Sequence, residues 1–159
     1  MLAGMMFLSQ IIMQATIPNV HFLGMFIGAT TLVYRSRALF PLYVWILLDG
    51  AFHGFSMWWV PRLYIFLPLW LTFMLAGKLN IRADYKAPLY MVLAALHGLS
   101  FGTLYAPFQA WLWRLGWEGM IAWIIRGLHF DVMHAIGNFA AGILIIPLAT
   151  LLTQLNEAP

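Results

Sequence analysis

The segment Ala87–Phe108, with the sequence APLYMVLAALHGLSFGTLYAPF, decides the fold class of this chain. It contains no Asp, Glu, Lys or Arg, and its apolar residues run together instead of alternating with polar ones. A membrane strand needs alternation, whereas a helix that crosses the hydrocarbon core of a bilayer needs about 20 mostly apolar residues. The segment therefore predicts a transmembrane helix.

The composition of the whole chain agrees with this interpretation. Of its 159 residues, 64% are hydrophobic and 8% are charged, and the mean hydropathy is +0.87. Soluble domains carry about 25% charged residues, so the composition argues against a soluble domain, a disordered chain and a nucleic-acid-binding module. The chain has no cysteine, which excludes disulfides and thiolate metal ligands.

Six hydrophobic segments are predicted to form one transmembrane domain that covers residues 1–159. They are about Leu2–Ile17, Val20–Tyr34, Ala38–Phe55, Val60–Leu79, Ala87–Phe108 and His129–Leu152. Residues 109–128, the Trp-rich segment, are too polar for a further span, and we expect a loop with a short interfacial helix there. The predicted fold is an all-α integral membrane protein with six transmembrane helices.

Basic residues orient the predicted bundle. Arg35 and Arg37 follow the second span, and Lys78, Arg82 and Lys86 lie between the fourth and the fifth. With six spans both groups fall on one face, which the positive-inside rule makes cytoplasmic. Both termini are then expected in the cytoplasm.

The last predicted span carries three polar residues on one helix face. Asp131, His134 and Asn138 are spaced i, i+3 and i+7. An ionisable side chain within a membrane is costly and usually has a partner or a function. Ligand binding and packing between helices are both open for this group, because polar side chains also hold membrane helices together.

Other polar side chains in the predicted spans are also open to more than one interpretation. His97 in the fifth span either meets a ligand or is a satisfied interhelical histidine. His53 lies four residues after Asp49, so the two side chains can pair, and Asp49 can equally be held by Arg62 across the bundle. Arg62 either binds an anionic ligand or extends to the outer membrane interface.

Tryptophan is abundant, with eight residues in the chain. Six of them are expected near the outer face: Trp58, Trp59, Trp111, Trp113, Trp117 and Trp123. An aromatic belt at the membrane interface accounts for many of them, whereas stacked rings around a planar ligand would give the same pattern. We favour the second interpretation, with Trp59 and Trp123 as the stacking residues.

Motifs for catalysis are missing from the sequence, and we expect no catalytic residue and no cofactor. His-Glu-x-x-His, Gly-x-Ser-x-Gly and a phosphate-binding glycine-rich loop are absent. Asp131 and His134 with His97 or His53 would offer ligands to zinc. A membrane-embedded zinc enzyme is therefore one alternative, and a tetrapyrrole-binding Trp-rich protein is another.

Three stretches resemble a known family. They are IPNVHFLG (Ile17–Gly24), GAFHGFSMWWVP (Gly50–Pro61) and FDVMHAIGNF (Phe130–Phe139). The first is similar to the stretch joining the first two helices of the substrate-binding S components of energy-coupling factor (ECF) transporters, and the third is similar to their last helix. The length and the six predicted spans agree with this family.

The resemblance implies a function. S components bind a vitamin or related micronutrient at the extracytoplasmic side of the prokaryotic plasma membrane. They associate with a transmembrane coupling subunit and two cytoplasmic ATPase subunits, and they catalyse no reaction themselves. The Ala-x-x-x-Ala pattern that family members usually show in their first helix is absent from residues 2–17, so the resemblance assigns no docking face there.

The expected substrate-binding residues come from two sources. Asn19, Asp131, His134 and Asn138 match the motifs of the family. His53, Trp59, Arg62, His97 and Trp123 are added from their predicted positions near the outer face. No metal ligand and no nucleic-acid contact is expected.

Overall fold

The computed structural model describes residues 1–17 and 19–157, and within this part of the chain all regular structure is helical. The predicted all-α fold is confirmed. The helices are α1 (Leu2–Thr16), α2 (Leu23–Tyr34), α3 (Leu39–His53), α4 (Arg62–Ile65), α5 (Leu67–Ala76), α6 (Ala83–Trp113), α7 (Gly116–Gly142) and α8 (Ile145–Glu157), with a short 3-10 helix at Arg35–Ala38.

Helix α2 lies at the centre of the bundle. Its residues from Leu23 to Thr31 are all buried, and it packs against α5, α6, α7 and α8. Small residues permit this close packing, because a β-carbon on Gly28 would stand 2.8 Å from the Phe73 ring and one on Gly24 would stand 2.9 Å from Asn138 Oδ1. The uniform apolar composition of α2 follows from its burial on all sides.

Helices α6 and α7 form a long hairpin, which corrects the expectation for the Trp-rich segment. Helix α6 continues to Trp113 and α7 begins at Gly116, so the connection is confined to Arg114 and Leu115. Arg114 and Gly116 both have positive φ, at 52° and 65°, which allows the tight turn. Packing between the two helices stabilises helical structure despite the polar composition of residues 109–128. For example, the ring of Tyr105 stacks on that of Trp123, with the ring centroids 5.9 Å apart.

Helix lengths differ from those of six regular spans. In the described part of the chain, α6 is the single unbroken helix long and apolar enough to cross a bilayer. Helices α7 and α8 pass the same criterion together, but they are bent by 51° at the break after Gly142, within the expected span His129–Leu152. Helix α1 and the segment Arg62–Ala76 are apolar and shorter. The six-span arrangement therefore stays a prediction.

Candidate ligand-binding cavity

A cavity of about 230 Å³ lies where the seven helices α1 to α7 meet, and we call it the central cavity. Aromatic and aliphatic side chains form much of its wall, together with a set of polar side chains. The polar ones are Gln10, Gln14, His21, Trp45, Arg62, His97, His134 and Asn138. A largely apolar cavity with a few convergent polar groups is the usual form of a small-molecule site.

Four polar atoms around this cavity are buried and have no hydrogen-bond partner among the described residues. They are Gln10 Oε1, His21 Nδ1, Trp45 Nε1 and His134 Nδ1. Leaving a buried donor or acceptor unsatisfied costs about 1–3 kcal/mol each, and native proteins contain few such atoms. Their concentration around one cavity gives it a set of polar atoms that remain free to bond a polar molecule.

Arg62 turns inward from α4 to the buried carboxylate of Asp49 on α3. Its Nη1 contacts Asp49 Oδ2, and its guanidinium lies over the ring of Trp58, 4.6 Å from the centroid. His53 Nδ1 lies 3.4 Å from the other oxygen of Asp49. Arg62 therefore pairs with the Asp49 carboxylate, whereas His53 Nδ1 makes its hydrogen bond to the backbone carbonyl oxygen of Asp49 at 3.3 Å.

His97 and Asn138 line the central cavity while anchoring neighbouring backbone. His97 Nε2 donates to the carbonyl oxygen of Ile65 at 2.8 Å, and Asn138 Nδ2 donates to that of Ala94 at 3.2 Å. The satisfied interhelical histidine is thus the arrangement found for His97. Each of the two side chains keeps a second polar atom that a ligand can contact.

His21 and His134 lie next to each other in the wall of the central cavity. Their ring centroids are 5.4 Å apart, and the Phe101 ring lies 5.1 Å from that of His134. His21 belongs to the connection between α1 and α2, outside the helices.

A second cavity, the side cavity, opens between α6 and α7 with a volume of about 520 Å³. Its lining includes Asn19, Trp123 and Asp131, and it shares Phe101 and His134 with the central cavity. Asp131 Oδ1 accepts a hydrogen bond from the Gly102 amide at 2.9 Å. Its other oxygen is buried without a partner among the described residues.

The expected binding residues therefore fall into separate groups. Arg62, His97, His134 and Asn138 come together around the central cavity. Asn19, Trp123 and Asp131 line the side cavity, which His134 also reaches. His53 lies with Arg62, Gln14 and Trp58 in a shallow depression beside them.

Trp59 is the expected residue that departs from this pattern. Its Nε1 donates to the carbonyl oxygen of Ile46 at 2.8 Å, and its ring meets Phe55 edge-on at 5.1 Å. Trp59 lies outside the linings of the two cavities. It holds the segment after α3 against that helix, because Gly50 leaves room for its ring.

Sequence reasoning missed four residues of the central cavity: Gln10, Gln14, His21 and Trp45. One signal was present, because Gln10 and Gln14 are the two amides of the otherwise largely apolar α1 and their i, i+4 spacing places them on one face. Trp45 sits in the middle of an apolar run and carries no such signal. Its role follows from the tertiary packing alone.

Comparison with known proteins adds no assignment, since no family model, curated protein or solved structure matches the chain. In the described residues, no group of three or more His, Asp or Glu side chains is arranged to hold a metal ion.

Proposed function

We propose that this chain is the substrate-binding S component of an ECF-type importer and that it holds a vitamin-like micronutrient in the central cavity. The observation that carries the proposal is the set of four unsatisfied polar atoms around the central cavity. A membrane subunit that captures a scarce small molecule needs such a site. The family resemblance of Ile17–Gly24 and Phe130–Phe139 supplies the transport context.

The outer surface supports a location in the plasma membrane. Large apolar side chains lie exposed on several helices, among them Leu8 on α1, Phe40 on α3, Leu75 on α5 and Ile125 on α7. Soluble monomers rarely expose apolar patches of more than a few hundred Å², whereas lipid contact requires them. We propose six membrane-crossing segments with both termini cytoplasmic, the shorter helices being completed by their flanking residues.

In this proposal the chain binds and releases its ligand unchanged. A coupling subunit in the membrane and two cytoplasmic ATPase subunits supply the energy. The polar groups at the central cavity suit this role, because Arg62, His97 and Asn138 are each already anchored to protein atoms and hold a fixed binding surface. Fixed polar groups give specificity at little conformational cost.

Tryptophan fluorescence tests the proposal. The protein, purified in mild detergent, is titrated with a panel of vitamins and precursors, and we expect saturable quenching by one of them. Trp45 lines the cavity, so Trp45→Phe should remove most of the quenching. Trp117→Phe is the matched control, because Trp117 is exposed near the hairpin turn, and it should leave the quenching intact.

Two results would contradict the proposal. One is the absence of saturable quenching with every member of the panel, and the other is quenching that survives Trp45→Phe unchanged. Co-expression with an ECF coupling module tests the second half of the proposal, since the tagged chain should co-purify with the coupling subunit. A reporter fused to the C-terminus should prove cytoplasmic.

A further inference from the structure

The charge balance of the central cavity bears on the class of its ligand. Among the described residues that line the cavity, Arg62 is the one with a permanent charge. Its guanidinium contacts the fully buried Asp49, which stands behind the cavity wall and compensates that charge. At pH 7.5 the histidine side chains are neutral by their ordinary pKa of about 6.5. An ionised ligand would bring an uncompensated charge into this site.

The unsatisfied atoms specify complementary groups on the ligand. Gln10 Oε1 can only accept a hydrogen bond, and Trp45 Nε1 can only donate one. The free ring nitrogens of His21 and His134 take either role, according to the tautomer. A molecule that satisfies this set carries at least one donor and one acceptor.

The size and the walls of the cavity limit the ligand further. At about 30 Å³ for each water-sized volume, 230 Å³ accommodates about eight non-hydrogen atoms. The rings of Phe66, Phe101 and His134 line the space. Aromatic walls favour a flat molecule, because offset stacking and edge contacts add to the burial of area.

We propose that the ligand is a small, uncharged, planar heterocycle that carries both a hydrogen-bond donor and an acceptor, as a carboxamide or a lactam does. This inference rests on the proposed function and names its substrate class. The side cavity, with the unpaired oxygen of Asp131, holds a separate set of groups that the inference does not use.

Matched amide and acid probes test the inference directly. Nicotinamide and nicotinate, pyrazinamide and pyrazinoate, and picolinamide and picolinate share their shapes and differ in charge at pH 7.5. Isothermal titration of the detergent-purified protein should show at least one amide binding at least tenfold more tightly than its acid. An acid that binds as tightly as its amide would overturn the inference, and so would failure of all three amides to bind.

A charge variant provides a second test. Asp49→Asn leaves Arg62 without its counter-charge, so the preference should shift at least tenfold toward the acid. Asp49→Asn combined with Arg62→Gln should restore the preference for the amide. Asp84→Asn is the control, because its partner Arg82 forms an exposed pair outside the cavity, and it should leave the preference unchanged. If Asp49→Asn keeps the wild-type preference for the amide over the acid, the ion pair does not set that preference. If the variant does not fold, the comparison of amide and acid binding to the wild type still decides the inference.

The outcomes separate this inference from the proposed function. If an ionised vitamin quenches the fluorescence of the wild type while the amides do not bind, the substrate class is wrong and the proposed function stands. If neither the vitamin panel nor the amides bind, both are wrong.

Discussion

The Nη1 atom of Arg62 contacts the carboxylate of Asp49, which is fully buried beneath the central cavity. The contact joins α4 to α3 and presents a cation to the cavity with its counter-charge already in place. His53 approaches the same carboxylate at 3.4 Å. A buried ion pair of this kind contributes little net stability compared with apolar residues, but removing one partner strongly destabilises the folded state.

Asp49→Asn should therefore destabilise the protein. It leaves the guanidinium of Arg62 partly buried without a counter-charge, and we expect a loss of about 3 kcal/mol, at the lower end of the range for buried pairs because Arg62 is not fully enclosed. Thermal unfolding in detergent measures the change. Asp84→Asn, in the exposed pair with Arg82, should not shift the midpoint measurably. Equal shifts in both variants would contradict the structural role of Asp49.

Gln10→Leu should separate ligand affinity from stability. Leucine removes a buried, unsatisfied acceptor, so the ligand-free protein should be as stable as the wild type or more stable, by about 1 kcal/mol. Affinity should fall about tenfold, because a bond of about 1.4 kcal/mol to the ligand is lost.

The neighbouring Ser9 supplies a control for this change. Its Oγ donates to the Met6 carbonyl oxygen at 2.8 Å within α1, and Ser9 lies outside the cavity lining. Ser9→Ala should leave the affinity unchanged. Undiminished affinity in Gln10→Leu would exclude Gln10 from the site.

Gly98→Ala should disturb the crossing of α6 and α7. A β-carbon on Gly98 would stand 2.7 Å from the backbone carbonyl carbon of His134, so the helices must separate. Overpacking of this kind costs about 1–3 kcal/mol, and ligand affinity should fall because His134 moves. Thermal unfolding and a binding titration measure both effects. Gly4→Ala is the control. A β-carbon on Gly4 would meet no atom within 4 Å, so this variant should lower neither the unfolding temperature nor the ligand affinity.

Much of the helical content was predictable, because long apolar runs that do not alternate with polar residues favour helices over strands. Arg62, His97, His134 and Asn138 are four of the nine residues expected to bind the substrate, and all four line the central cavity. The pairing of Asp49 with Arg62 was one of two alternatives. The Trp-rich segment was misjudged. Its charges and tryptophans suggested a surface loop, whereas stacking of Trp123 on Tyr105 of α6 supports a continuous helix there.

The composition of the central cavity could not be predicted from the sequence. Trp45 and His21 become cavity residues only because α3 and the connection after α1 converge on the same point as α6 and α7. Trp59 shows the converse case, since its predicted position near the outer face suggested a ligand contact. Its indole instead satisfies the Ile46 carbonyl oxygen and packs over Gly50.

Native mass spectrometry shows whether a small molecule occupies the central cavity. The detergent-purified chain is incubated with the vitamin panel and with the amide probes, and the bound mass is read for the wild type and for Gln10→Leu combined with His134→Phe. Unfolding temperatures confirm that both proteins are folded. We predict one bound molecule per chain in the wild type and strongly reduced occupancy in the double variant. A wild type that binds no member of either set, or a variant with equal occupancy, would contradict the account.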